Sequence, residues 1–212
     1  MDDKALIVFI KNPALGKVKT RLARTVGDVA ALDIYRELTQ ITRQNAEILR
    51  GVSCYVFYSD FIDTDDDWHN TVFKKQVQSG TDLGERMANA FDWVLKTHRR
   101  ACIIGSDCPT LTADLIEQGF QELTTHDFVV GPSTDGGYYL LGMNVSHFGG
   151  SKTDMGTTAK FLFDNMAWST DRVLGDTLER ISDIGKTVFL LPSLTDVDEE
   201  KDWLAYLASQ NI

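Results

Sequence analysis

Strand patterns and helix patterns alternate along this chain of 212 residues. Short runs rich in β-branched, aliphatic and aromatic residues predict buried strands, and apolar residues at helical spacing predict helices packed on a sheet. The predicted strands are 4–10, 52–59, 72–77, 101–104, 127–131 and 187–191, and the predicted helices are 28–50, 82–98, 112–123, 158–165, 169–185 and one after the turn at 193–199. Since neither a repeat nor a linker interrupts this alternation, we expect residues 1–212 to form one three-layer α/β/α domain with a mainly parallel sheet.

One segment departs from the simple alternation. The sequence GPSTDGGYYLLG places an Asp-Gly-Gly turn between two apolar runs. Aspartate and glycine favour tight turns, so this pattern predicts a sharp reversal and an antiparallel pair of strands.

Charge and cysteine usage exclude several classes of protein. Against 21 lysines and arginines stand 31 aspartates and glutamates, a net charge of −10 that opposes general binding to nucleic acid or to an anionic membrane. The first apolar run has six residues, too few for a signal peptide or a membrane span, and we expect a cytoplasmic protein. Three cysteines without close spacing predict neither disulfides nor structural zinc.

Charged residues and glycines follow four of the predicted strands. Because the carboxyl ends of parallel strands converge on one crevice, we expect these side chains to lie together. Basic groups beside several carboxylates suit a polyphosphate bound through a divalent cation, since carboxylates alone would repel it. The candidates are Lys11, Lys17, Lys19 and Arg21 after the first strand, Asp107, the Asp135, Gly136 and Gly137 turn, and the pair Asp196 and Asp198.

Three common nucleotide and phosphate motifs do not fit. Gly16-Lys17 lies in the first loop, but Lys11 stands where a P-loop needs glycine and Val18 stands where it needs serine or threonine. The first loop has a single glycine, so it is no dinucleotide fingerprint. The Asp-Val-Asp sequence of aspartate-based phosphatases follows their first strand, whereas Asp196 and Asp198 follow the last one.

Taken together, the motifs resemble those of a known family. In chain order they are KNPALGKVKTRLA, DLGERM, IGSDCPTLT, GPSTDGGYYLLG, WST and DVDEEKDWL. This order resembles the DUF2064 family, bacterial proteins described as selenodomain-associated glycosyltransferases, and the likeness extends from residue 8 to about residue 204. The family is similar to nucleotide-diphospho-sugar transferases of GT-A fold and to the phospholactate and molybdenum-cofactor guanylyltransferases. The chain departs from the family pattern between Leu141 and Trp168, where its connection is longer.

The resemblance implies a role for each candidate residue. Lys19, Thr20 and Arg21 match the phosphate loop of nucleotidyltransferases, which implies that Lys19 and Arg21 hold the phosphates. Asp107 matches the metal aspartate, and Asp196 and Asp198 match the late acidic pair of the metal site. The remaining assignments are Lys11, Gly16 and Gly105 to nucleotide binding and Asp135, Gly136 and Gly137 to substrate binding, with Lys19, Arg21 and Asp107 as the catalytic residues.

These assignments predict a transferase that depends on Mg²⁺ or Mn²⁺ and uses a nucleotide or nucleotide-sugar with a small-molecule acceptor. Either a phosphorylated acceptor attacks a nucleoside triphosphate, or a nucleotide-sugar gives up its sugar. The two reactions share the metal and nucleotide apparatus, so the motifs leave both open. A nucleotide-binding partner or sensor without catalysis is the alternative. The base, the acceptor and the oligomeric state also stay open.

Overall fold

A seven-stranded sheet forms the centre of the protein in the computed structural model, which describes residues 3–147 and 160–210. The strands are β1 (Lys4–Ile10), β2 (Val52–Tyr58), β3 (Phe73–Val77), β4 (Arg100–Ile104), β5 (Phe128–Pro132), β6 (Tyr138–Asn144) and β7 (Val188–Leu190). They lie in the order β3-β2-β1-β4-β6-β5-β7. β6 runs antiparallel to both of its neighbours and the other pairs are parallel, which confirms the predicted mainly parallel sheet and the reversal before Tyr138.

Helices cover both faces of this sheet. In the described part of the chain the helices are α1 (Ala23–Val26), α2 (Asp28–Glu47), α3 (Leu83–Leu95), α4 (Ala113–Glu122), α5 (Val173–Asp183) and α6 (Glu200–Ser209), and residues 160–163 are also helical. Alternate residues of β1 separate two cores: Leu6 and Val8 pack with α2 and α4, whereas Ala5 and Ile7 pack with α3 and α5. This alternation is the period of a strand buried on both faces, and it confirms the three-layer α/β/α arrangement.

The last helix holds the chain's final turn against the domain. Val197, which is 1% exposed, packs with Leu38 of α2 and Trp203 of α6. Glu199 and Asp202 form a capping box that starts α6. The turn between β7 and α6, which carries Asp196 and Asp198, is therefore anchored from both sides.

Two local predictions differ from the structure. The helix predicted from Ser169 begins at Val173, and Ser169 instead has a φ of +62° in a left-handed turn. The spacing of Asp82 and Glu85 predicts a capping box at the start of α3, and the structure has half of it. Asp82 accepts from the Glu85 amide at 2.8 Å, but Glu85 accepts from the amide of Thr81 rather than from that of Asp82. Of the predicted helix 158–165, residues 158 and 159 lie outside the described residues.

Among the described helices, none has the length and apolar character needed to cross a membrane.

Candidate active site

The loop after β1 is fixed by two buried residues that flank a charged one. Val18 is 2% exposed and packs on Leu32 and Tyr35 of α2, and Leu22 is fully buried. Lys19 lies between them with a φ of +45°, a conformation that costs free energy for a side chain with a Cβ. The packing of its neighbours holds this strained backbone, and it turns Lys19 inward so that its side chain is 8% exposed.

Lys19 joins two carboxylates that are far apart in sequence. Its Nζ lies 3.3 Å from Asp107 Oδ2 and 3.3 Å from Asp198 Oδ1. Burial alone lowers the pKa of Lys19, but the charges of Asp107 and Asp198 and their hydrogen bonds outweigh that effect, and the pKa is raised. Lys19 therefore carries its positive charge at physiological pH. Arg21 Nη1 adds a second cation 3.3 Å from Asp198 Oδ2.

The loops that carry these carboxylates are also linked through the backbone. The Val197 amide donates to the Asp107 carbonyl oxygen at 2.8 Å, and the Asp198 amide donates to Asp202 Oδ2 at 3.2 Å. The first bond ties the turn after β4 to the turn after β7. The two acidic turns are thus linked directly, and Lys19 bridges their carboxylates.

Asp196 is a buried carboxyl beside these residues. Burial, followed by the negative charges of Asp107 and Asp135, raises the pKa of Asp196 to about 8. Its Oδ1 is buried and has no hydrogen-bond partner among the described residues. A buried polar atom without a partner is costly, so this carboxyl fits a site that a cation completes.

Asp135 is both a turn residue and a site residue. Its Oδ1 accepts from the Gly137 amide at 3.0 Å and from the Ser133 hydroxyl, which closes the turn before β6. Gly136 has a φ of +91°, and a Cβ there would clash with the backbone of Asp171. The turn therefore requires glycine, and it places Asp135 where its charge acts on Asp196.

Two adjoining cavities meet at these residues. The larger, here named the polar cavity, has a volume of about 560 Å³ and is lined by nine of the predicted residues together with Tyr35, Gln78 and the stretch 169–171. The smaller, named the apolar cavity, has a volume of about 220 Å³. Phe9, Leu83, Gly105, Asp135, Ser169 and Thr170 line both.

The predicted residues are distributed between the two cavities. Those that line the polar cavity are Lys11, Lys17, Lys19, Thr20, Arg21, Gly105, Asp107, Asp135 and Asp198. Gly137 and Asp196 line the apolar cavity. Gly16, with a φ of +70°, and Gly136 shape turns and line neither cavity.

Two further residues of the polar cavity, Tyr35 and Gln78, are not among the predicted site residues. The Tyr35 hydroxyl accepts from the Lys11 amide and donates to the Lys11 carbonyl, both at 2.8 Å, so it holds the start of the loop after β1. Gln78 Nε2 donates to the carbonyls of Ile10 and Phe57 at the ends of β1 and β2. A buried tyrosine needs a partner for its hydroxyl, which was the available signal for Tyr35. Gln78 carried no comparable signal, because its partners are backbone carbonyls on two strands.

Three carboxylates, Asp107, Asp196 and Asp198, were predicted to hold a metal. Within the described ranges, no group of three acidic, histidine or cysteine side chains is arranged as a ready metal cluster. The Lys19 ammonium lies between two of the three carboxylates instead.

The fold is of the nucleotide-diphospho-sugar transferase type. A structure from Desulfovibrio desulfuricans G20, provisionally assigned as such a transferase, is 29% identical, with a TM-score of 0.86 over 100% of this chain and 89% of that one. Residues 42–170 match the family described as "Uncharacterized protein conserved in bacteria (DUF2064)". The chain belongs to the DUF2064 family, as its motifs predicted. No curated protein sequence matches it significantly.

More distant structures share the fold. The 4-diphosphocytidyl-2C-methyl-D-erythritol synthase of Anaerococcus prevotii DSM 20548 has a TM-score of 0.62 at 10% identity, over 99% of this chain and 96% of that one. A Mycobacterium tuberculosis H37Rv protein, Rv0371c, in complex with manganese has a TM-score of 0.51 at 12% identity, over 98% of this chain and 99% of that one. At these identities the likeness is one of fold.

Proposed function

We propose that this protein is a divalent-metal-dependent transferase that uses a nucleotide or a nucleotide-sugar. The observation that carries the proposal is the position of Lys19. Its buried ammonium bridges Asp107 and Asp198 at the carboxyl ends of the strands, where α/β sheets bind ligands. Fixed charges of both signs suit a phosphate chain and its counterion better than charges of one sign would.

The basic side chains supply the phosphate contacts in this proposal. Lys11, Lys17, Lys19 and Arg21 line the polar cavity and come from one loop. Lys19 and Arg21 neutralise the charge that develops on the phosphate leaving group, and this electrostatic stabilisation, together with positioning, accounts for most of the rate. No side-chain nucleophile is required. Cys108 is unsuited to that role because burial, first, and then the nearby charge of Asp196 raise the pKa of its thiol to about 12.

The carboxylates fit a divalent cation. Asp196 Oδ1 is buried without a hydrogen-bond partner among the described residues and lies near the charges of Asp107, Asp135 and Asp198. Mg²⁺ needs only one or two protein carboxylates, since phosphate oxygens and water complete its shell. Asp107, Asp196 and Asp198 would hold the cation, which would supply further positive charge for the phosphates. The manganese complex of the M. tuberculosis protein supports this part of the proposal.

A panel of nucleotides tests the proposal. Thermal shifts are measured with each nucleoside diphosphate and triphosphate, with and without Mg²⁺ or Mn²⁺, because a ligand that binds the folded state raises the melting temperature. We expect at least one metal-dependent shift, and that shift should be lost in Asp107→Ala. Asp33→Ala removes an exposed carboxylate from α2 and should keep it.

Turnover then separates the enzyme from a sensor. The protein is incubated with the bound nucleotide or its sugar conjugates and a mixture of acceptors. Release of pyrophosphate indicates nucleotidyl transfer, and release of nucleoside diphosphate indicates sugar transfer. Binding without turnover in every mixture would favour a nucleotide-binding sensor. The absence of any nucleotide shift would contradict the proposed function as a whole.

A further inference from the structure

The apolar cavity differs in chemistry from the polar cavity beside it. Its walls include Phe9, Met87, Tyr138, Trp168 and Val173. Aromatic and aliphatic walls of this kind bind the apolar face of a small molecule, and a few polar groups then fix its orientation.

Those polar groups lie at the end that adjoins the polar cavity. They include Asp135 and Asp196, and Asp135 lines both cavities. Asp135 Oδ1 accepts two hydrogen bonds in the turn, whereas Oδ2 accepts none from the described residues. A hydroxyl group that reaches this end therefore meets a carboxylate oxygen that can accept its hydrogen bond.

The two cavities differ in charge: the polar cavity is lined by side chains of both signs, whereas the charged residues described in the lining of the apolar cavity are carboxylates. Four cations of the first loop line the polar cavity, but no lysine, arginine or histidine is found among the described residues that line the apolar cavity. A phosphate placed in the apolar cavity would face the Asp135 carboxylate, and none of the described residues that line this cavity is a cation. Like charges at close range in a partly buried site cost free energy, so this cavity disfavours an anionic ligand.

We propose that the apolar cavity binds the acceptor, and that the acceptor is an uncharged molecule with an apolar or aromatic body and a hydroxyl group. This inference rests on the proposed function. It favours sugar transfer to an alcohol over nucleotidyl transfer to a phosphorylated metabolite. The acceptor oxygen bonds to the anomeric carbon, the bond from that carbon to the diphosphate breaks, the nucleoside diphosphate leaves with the electron pair, and the hydroxyl proton is released to solvent.

Two matched probes test this inference, benzyl alcohol and benzyl phosphate, which differ only in the phosphate group. Binding of each to the full chain is measured by saturation-transfer NMR with the metal and the nucleotide from the panel at saturating concentration, so that the cations of the polar cavity are already occupied. We expect the alcohol to bind and the phosphate to bind about tenfold more weakly or not at all. Equal or tighter binding of benzyl phosphate would overturn the inference.

Variants locate the binding. Val173 is 6% exposed and lines the apolar cavity, so Val173→Phe fills it and should weaken benzyl alcohol binding about tenfold. Leu83 is 45% exposed at the mouth of both cavities, so Leu83→Lys should fold and should increase benzyl phosphate binding. Leu204→Lys, at an exposed position of α6, is the control and should change neither. Unchanged alcohol binding in Val173→Phe, with an intact circular dichroism spectrum, would overturn the inference.

The nucleotide panel keeps the two proposals apart. Val173→Phe should retain the metal-dependent nucleotide shift, because Val173 does not line the polar cavity. If a nucleotide raises the melting temperature of the wild type but benzyl alcohol binds no better than benzyl phosphate, the acceptor inference alone is contradicted. The absence of any nucleotide shift contradicts the proposed function, and the acceptor inference falls with it.

Discussion

The backbone amide of Val197 donates a 2.8 Å hydrogen bond to the carbonyl oxygen of Asp107. This bond joins the turn after β4 to the turn after β7, two segments separated by 90 residues. Because Val197 is buried against Leu38 and Trp203, the position of Asp107 depends on the packing of α2 and α6 as well as on its own strand. The acidic part of the site is therefore a property of the whole fold.

Lys19→Met should weaken nucleotide binding while the protein stays folded. The substitution removes the buried charge that faces Asp107 and Asp198, and it leaves two carboxylates that repel phosphate. We expect nucleotide affinity to fall by at least about tenfold, the loss typical of one charge-assisted contact. Isothermal titration calorimetry with the nucleotide from the panel measures this affinity. Lys17→Met, in the exposed part of the same loop, should have a smaller effect, and equal losses would contradict a special role for Lys19.

Asp196→Asn should stabilise the metal-free protein and weaken metal binding. The carboxyl is buried near three other carboxylates, and its Oδ1 lacks a partner among the described residues. Removing its charge should raise the free energy of unfolding at pH 8 by about 1 kcal/mol. Urea unfolding without metal measures this change, and Mn²⁺ titration followed by electron paramagnetic resonance measures the metal. Loss of stability with unchanged Mn²⁺ binding would show that Asp196 is a structural residue only.

Gly136→Ala and Gly175→Ala should have opposite effects. Gly136 has a φ of +91°, and a Cβ there would clash with Asp171, so alanine should cost more than about 2 kcal/mol of unfolding free energy and displace Asp135. Gly175 lies within α5 with open space around its Cα, so alanine should add up to about 1 kcal/mol. Chemical unfolding of both variants checks the pair. An unchanged free energy of unfolding in Gly136→Ala would mean that the turn can relax to accommodate the methyl group.

Asp127 should give the protein a pH-dependent contribution to stability. Asp127 Oδ2 accepts from the amide and the hydroxyl of Thr187, each at 2.8 Å, and this fixes the start of β7. Burial alone raises the pKa of Asp127, but these bonds and the charge of Lys186 outweigh it and lower the pKa. A lowered pKa in the folded state stabilises the protein above the unfolded pKa of about 3.9, and the contribution is lost as pH falls through the folded value.

Asp127→Asn should therefore destabilise the protein by about 1–2 kcal/mol at pH 7 and by less below pH 3. Urea unfolding across this pH range gives the difference between the two proteins. Asp92→Asn, in an exposed i,i+4 ion pair with Lys96, is the control and should change little at any pH. A difference for Asp127→Asn that is constant with pH would show that its charge is irrelevant.

The strands and most helices could be predicted because their patterns are local. β1 has the predicted bounds, and α2, β2 and α4 differ from their predicted ranges by three residues or fewer at each end. The start of α5 could not be predicted in this way. Ser169 is a good capping residue by type, but the Leu174 amide donates to the Gly136 carbonyl at 2.8 Å, and this contact between distant segments sets where the chain enters the helix.

The candidate site divides along the same line. By itself the sequence determined the α/β class, the family, and the residue types that follow each strand. Periodicity and motifs depend on residues that are close together in the chain, so they can be recognised without the structure. Only the tertiary structure decided that Lys19 bridges Asp107 and Asp198 and that Tyr35 holds Lys11. It also decided that an apolar cavity lies beside Asp135, with no cation among the described residues that line it. These relations join residues that packing brings together across the sheet, and such long-range contacts leave no periodic signal in the chain.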